Sequence, residues 1–303
     1  MIKLDRNGQE LQFDRIVAYG CSFVAGSELI DHLPLSYLGD VDKVDEVKRN
    51  FSSANDDFFK KYFEQAARSG KIAPEWVQSN GDFDYQKLFS EQAKYTFVNR
   101  LADKIGVPCV NKGWGGASVN SVPYSIEYDL ANGVIEETDL IIVGITSPNR
   151  MFYLTGNGEP RHALYGWMSN QWPSKEIHDA FALHFANNFN IAWEYFKHIK
   201  YIDMLNERLG NRIIVVPIFE RFGDLFNPDT YYLPKTWETD NSEQFNNIFK
   251  QVSSFKSILD CSFCEIIDLY DRTLLHGHWH PKQKHHEEYA DLLYSKLKNS
   301  IYE

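Results

Sequence analysis

Cysteine is scarce in this chain. Cys21, Cys109, Cys261 and Cys264 are the only four in 303 residues, too few for the disulfide framework of a small secreted domain. Cys261-Ser-Phe-Cys264 has the spacing of a redox or zinc pair, but no second pair completes a tetrahedron and no thioredoxin-like context surrounds it. These thiols therefore read as small apolar residues in a reducing compartment. Positive charge is also short: 31 Lys and Arg against 42 Asp and Glu give a net charge of −11 and a pI near 5.4. The basic residues are scattered rather than gathered into a stripe, so no nucleic-acid partner is expected. No apolar run approaches membrane-spanning length. Met1 to Phe13 carry Lys3, Asp5, Arg6 and Glu10, which leaves no apolar h-region for a signal peptide. The expectation is a soluble, cytoplasmic protein with no membrane partner, and assembly into a viral particle would fit the same facts. Internal repeats and low-complexity linkers are absent, so residues 1–303 read as a single domain.

Apolar material is ample at 43 %, enough for a sizeable core. Five short apolar segments recur, at residues 15–19, 108–111, 139–146, 212–219 and 263–269, with helical patterns between them. Strands alternating with helices predict a parallel α/β sheet. Helices are predicted over 87–105, 174–209 and 281–297. The last opens with Pro281, a favoured first-turn residue, and repeats Tyr289, Leu292, Leu293 and Leu297 at helical spacing. Residues 33–84, polar and aromatic with Asp40, Asp42, Asp45, Asp56 and Asp57, read as an insertion. Residues 222–246, with Pro228, Tyr231, Tyr232, Pro234 and Trp237, read as a long rim loop.

Four blocks carry candidate chemistry. The first strand runs into Gly20-Cys21-Ser22, which places a serine hydroxyl at the carboxyl edge of a parallel sheet, where open α/β folds gather ligands. Asn111-Lys112-Gly113-Trp114-Gly115-Gly116 follows the second strand; its glycines let backbone N–H groups approach a ligand, as an oxyanion hole requires. It serves equally as a tight turn. The third strand ends Gly144-Ile145-Thr146-Ser147-Pro148-Asn149, where Thr146 and Asn149 are candidate donors or simply turn residues. Last comes His276-Gly277-His278-Trp279-His280-Pro281, followed by His285 and His286. Five of the ten histidines thus fall at one loop-to-helix junction, where a general base for Ser22 would be delivered.

In this order the blocks resemble the GDSL or SGNH hydrolase superfamily, as a divergent member. Gly20-Cys21-Ser22 is similar to its Gly-Asp-Ser block, Asn111-x-Gly113-x-x-Gly116 to its second, Gly144-Ile145-Thr146 to its Gly-x-Asn block, and His280-Pro281 to its catalytic-histidine block. The resemblance implies a three-layer, flavodoxin-like α/β sandwich with a central, mostly parallel five-stranded sheet flanked by helices. It also implies a serine esterase that needs no cofactor. Ser22 would be the nucleophile and His280 the base, with Gly116, Thr146 and Asn149 at the oxyanion hole. The substrate implied is a small-molecule or carbohydrate ester, with an O-acetyl group favoured and the rim aromatics Trp114, Tyr231, Tyr232, Trp237 and Trp279 available for stacking.

Besides Cys21, which stands in place of the Asp of the first block, two positions depart from the family pattern. Gly277 stands where an Asp precedes the histidine by three residues, and Thr146 stands where the oxyanion Asn is usual. Asp271, Asp268, an acid from the insertion at 33–84, His276 or His278 would then orient His280, or Ser22 and His280 would act as a dyad. Two other readings stay open. One is an inactive SGNH-like binding or structural module. The other is a metal site on His276, His278 and His280, alternate residues that share one side of an extended segment, with His285 or His286 as a further ligand.

Overall fold

A computed structural model of the chain describes residues 1–6, 8–25, 64, 67–70, 74–113, 117–145, 150–154, 160–164, 175–176, 179, 183, 191–218, 255, 257–259, 261–267 and 281–302. An antiparallel pair opens it, β1 (Ile2–Arg6) and β2 (Gln9–Phe13). β3 (Arg15–Tyr19) runs into the short helix α1 (Ser22–Ala25). Then come α2 (Tyr85–Ala93), α3 (Phe97–Ile105), β4 (Cys109–Asn111), α4 (Ser121–Ala131) and β5 (Asp139–Ile145). The antiparallel pair β6 (Arg150–Leu154) and β7 (Pro160–Leu164) follows. α5 (Ile191–Arg208), β8 (Ile213–Pro217), α6 (Gln283–Leu297) and β9 (Ile301–Tyr302) complete the order.

The central sheet is parallel, with strand order β4-β3-β5-β8. β5 and β8 are buried at every position, as strands covered on both faces must be. Their side chains alternate between two cores. Ile16, Ala18, Ile142 and Val216 meet α3, α6 and the inner face of β1 and β2 through Phe97, Leu101, Leu293, Leu4 and Phe13. Val17, Tyr19, Ile141 and Val215 meet α4 and α5 through Val122, Ile126, Ile199 and Ile202. The result is a three-layer α/β sandwich. Because β4 lies on one side of β3 and β5 on the other, the chain reverses its direction of travel across the sheet between β3 and β5. The carboxyl edge at such a switch point is where open α/β sheets form a crevice.

The amino edge is held by charge. Arg15 grips Asp139 with Nε to Oδ1 at 2.7 Å and Nη2 to Oδ2 at 2.6 Å, across the register pair that starts β3 and β5. The Asp139 side chain is 1 % exposed, so its charge depends on this fork and on the Glu136 N–H at 2.7 Å.

Several expectations are corrected. Among the described residues the parallel sheet has four strands. The expected fifth, at 263–269, is instead a 3-10 turn at Phe263–Glu265, held by Ser262 N–H donating to Glu265 Oε1 at 3.2 Å, and residues 268–269 lie outside the described ones. Among the described residues beyond β8 there is the single parallel bridge Val215 to Ile258. The helix predicted over 87–105 is two helices, because Thr96 turns extended and caps α3. Pro281 lies outside its helix, whose N-cap is Lys282. Most of 33–84 and all of 222–246 fall outside the described residues.

Replacing Arg15 by Met leaves the Asp139 carboxylate buried without its main partner, and should destabilise the fold by about 3 kcal/mol. Urea unfolding measures this. Asp139→Asn in the Arg15→Met background should recover part of the loss, since the two changes share one interaction.

Candidate active site

Ser22 is the first residue of α1 and is separated from β3 by Gly20 and Cys21, at the carboxyl edge and at the switch point. Its backbone is described and its side chain is not. The seat of α1 is unusually close. A Cβ on Gly20, at φ +153, would lie 2.5 Å from Val24 Cγ2 and 2.8 Å from the Gly144 carbonyl oxygen. One on Gly113 would lie 2.5 Å from Ala25 N and 2.8 Å from Val24 C, and one on Gly144 would meet Val24 Cγ2 and Ile218. One glycine from each of the first three sequence blocks thus surrounds a single residue, Val24, itself fully buried.

Asn111, at the end of β4, ties these pieces together. Its Nδ2 donates to the Val24 carbonyl at 2.6 Å and to Thr96 Oγ1 at 3.3 Å, and its Oδ1 accepts from Gly113 N–H at 2.8 Å. Lys112 N–H donates to the Ala18 carbonyl at 2.7 Å, so the loop leaving β4 is fixed to β3 as well. The sequence marked Asn111 only as part of a motif. Its clamping role needed the tertiary neighbours.

The start of α6 stands at the same edge. α3 runs down to β4, so its N-cap Thr96 lies beside Asn111 at the carboxyl edge. His286, in the second turn of α6, accepts the Phe97 N–H at Nδ1, 3.1 Å. Further along α6, the Tyr289 hydroxyl lies 3.1 Å from the Pro217 carbonyl and 2.9 Å from that of Cys261, next to the end of β8. His285 Nδ1 accepts the Lys282 N–H at 3.1 Å. Both histidines are buried, and His286 packs against Phe97 and Phe263. They are therefore structural members of the five-histidine run. Their Nδ1 atoms are taken by backbone donors, which weighs against their service as metal ligands.

On the other face of the sheet, Tyr19 at the end of β3 donates its hydroxyl to Asp129 Oδ2 at 2.7 Å, and Lys112 Nζ stands 3.5 Å from the same oxygen. Burial, with the bond to Asp129 adding to it, drives the Tyr19 phenol well above its ordinary pKa, so it remains a donor. Burial also pushes the Cys109 thiol up to about 12, which leaves it a poor nucleophile at neutral pH.

His280, Gly116, Thr146 and Asn149 lie outside the described residues, as do His276, His278, Asp268, Asp271 and the aromatics Trp114, Tyr231, Tyr232, Trp237 and Trp279. What is brought to one edge is the backbone of Ser22, the Asn111–Gly113 turn, the end of β5 and the start of α6. Among the described residues no group of three or more His, Cys, Asp or Glu has a metal-binding arrangement, and no helix is long and apolar enough to cross a membrane.

No family model and no curated protein sequence matches the chain. Among solved structures it is similar to an alpha/beta hydrolase enzyme from the metagenome of Lake Arreo, Spain, at TM-score 0.42 and 11 % identity over 95 % of this chain and 96 % of that one. An acetyl xylan esterase from Geobacillus stearothermophilus aligns at TM-score 0.43 and 11 % identity over 97 % and 98 % of the two chains. A member of the lipolytic G-D-S-L family from Veillonella parvula aligns at TM-score 0.36 and 12 % identity over 92 % and 96 %. Similarity at this level carries no functional argument, which rests on the chain's own residues.

The glycine collar makes a separable prediction. Gly144→Ala and Gly113→Ala should each cost about 1–3 kcal/mol through overpacking, read as a fall in the thermal midpoint. Trimming Val24 to Ala removes the side-chain atom that obstructs Gly144→Ala, so that pair should lose less than the sum of its single changes. Gly113→Ala meets backbone atoms, and Val24→Ala should not rescue it. A second check is chemical: Cys109 should resist iodoacetamide at pH 8 in the folded protein and react after unfolding.

Proposed function

We propose that the protein is a serine hydrolase of SGNH type, cleaving a short-chain ester through an acyl-enzyme on Ser22. The observation that carries this reading is the convergence of Gly20, Gly113 and Gly144, one from each of the first three blocks, on the helical turn that Ser22 begins. Such a seat holds a nucleophile turn against the loop that leads to the backbone donors. Support for the base comes from chain geometry. His280 is two residues before Lys282, the N-cap of a helix whose start stands at the edge occupied by Ser22, and two residues span at most about 7 Å.

In this mechanism Ser22 Oγ attacks the ester carbonyl while His280 takes its proton. The N–H groups of Ser22 and Gly116, with Thr146 or Asn149, receive the negative charge that develops on the carbonyl oxygen. The tetrahedral intermediate collapses as the C–O bond to the alcohol breaks and His280 returns the proton to the leaving oxygen. Water, deprotonated by His280, then hydrolyses the acyl-serine and restores the free hydroxyl. The substrate class we propose is a short acyl ester, with an O-acetyl group on a carbohydrate favoured. One specific observation favours a second reading, an inactive SGNH-like module: Gly277 occupies the position of the orienting carboxylate. Loss of that carboxylate from a Ser-His-Asp set costs about four orders of magnitude in turnover yet leaves measurable catalysis.

A fluorophosphonate probe should label the folded protein, and Ser22→Ala and His280→Ala should each abolish both labelling and hydrolysis of p-nitrophenyl acetate. Folded protein that takes up no label would overturn the nucleophile assignment and leave the binding-module reading standing.

A further inference from the structure

We infer that Asn111 is a positioning residue, one side chain that locks the Ser22 turn, the loop after β4 and the start of α3 into a single register. The inference rests on the serine-hydrolase reading for its catalytic consequence and on the structure alone for its mechanical one. The three bonds use both N–H groups of the amide and its carbonyl oxygen. Their partners fix which way the amide faces, since the Val24 carbonyl can only accept and the Gly113 N–H can only donate. The Thr96 hydroxyl completes the lock. It donates to the Ala93 carbonyl at 2.9 Å and accepts from Asn99 Nδ2 at 2.9 Å and from Asn111 Nδ2 at 3.3 Å.

Thr96 also caps α3, and the next residue, Phe97, donates its N–H to His286 of α6. A continuous chain of contacts therefore runs from the carbonyl of Val24 through Asn111, Thr96 and Phe97 to the helix that begins just after His280. Asn111 thus bonds both to α1 and to the loop that leads to Gly116. The segments it joins are separated by 87 positions in sequence for Val24 and by 15 for Thr96, so local structure cannot hold them together. The chemistry requires nucleophile and oxyanion donors to keep a fixed separation, and misplacement by about 1 Å can cost on the order of 10²-fold in rate.

The test uses Asn111→Asp and Asn111→Ala in the full chain. Asp keeps the acceptor for Gly113 N–H but loses both donors, setting a carboxylate oxygen against the Val24 carbonyl. Hydrogen exchange with mass-spectrometric readout should show lost protection in peptides covering 21–25 and 111–113, with α5 and β8 exchanging as in the native protein. Native-like protection of those two peptides in both variants would overturn the inference whether or not the protein is an enzyme. On p-nitrophenyl acetate, kcat should fall by about 10²-fold with KM changed less than about threefold, and the rate of fluorophosphonate labelling should fall in parallel. A change confined to KM, or Ser22-dependent turnover unaffected by Asn111→Asp, would also overturn it. Native protein that neither labels nor turns over would instead count against the hydrolase reading, and the exchange experiment would still decide the clamp.

Discussion

A helical turn of four residues cannot sustain itself. Forming it fixes several backbone dihedrals for few hydrogen bonds, Ala25 N–H to the Cys21 carbonyl at 2.9 Å among them, and that exchange is unfavourable in an isolated chain. The turn that begins with Ser22 therefore depends on what surrounds it. Val24 fills the space left by three glycines, each lacking the Cβ that would collide with it or with its neighbours. Asn111 then takes up the Val24 carbonyl, in the last turn of the short helix. Packing sets how closely the turn approaches the strand ends, and the amide sets its direction.

This arrangement draws on one of the two cores, the one that α3 and α6 cover. The face under α1 contains Cys21, Val24, Ala18 and Ile218 together with Phe97, Phe263 and Tyr289, so α3 and α6 press on the same apolar mass that seats the serine turn. Tyr289 reaches the carbonyl that ends β8, and His286 occupies a backbone donor of α3. A buried imidazole satisfied in this way holds the two helices in register at the edge where function would lie. The ion pairs Arg100–Glu287 and Lys104–Asp291 outside that contact are partly exposed and contribute little by comparison.

Much of the fold was legible because strands buried on both faces read as continuous apolar runs. The segments at 15–19, 139–146 and 212–219 became β3, β5 and β8 with shifts of at most two residues at an end. The errors have identifiable causes. The apolar run from Phe263 resembled a strand, but Ser262 and Glu265 formed a capping pair around a 3-10 turn. The continuous pattern over 87–105 concealed Thr96, whose side chain starts a new helix. The β1–β2 hairpin lies outside the five expected strands, although Leu4, Leu11 and Phe13 alternate inward and Asn7-Gly8, a strong turn signal, separates Arg6 from Gln9.

The sequence by itself determined the composition limits, the alternation of buried strands with amphipathic helices, and the order of the glycine, serine and histidine blocks. These follow from local periodicity and residue chemistry, which neighbours in the chain express directly. Only the tertiary structure decided that Gly20, Gly113 and Gly144 meet around one valine, that Asn111 ties this contact to Thr96 at the start of α3, and that His285 and His286 are buried supports. Those facts depend on which distant segments come within hydrogen-bond or van der Waals distance. That is settled by the strand order β4-β3-β5-β8 and the packing of α6 on α3, neither of which any stretch of local sequence encodes.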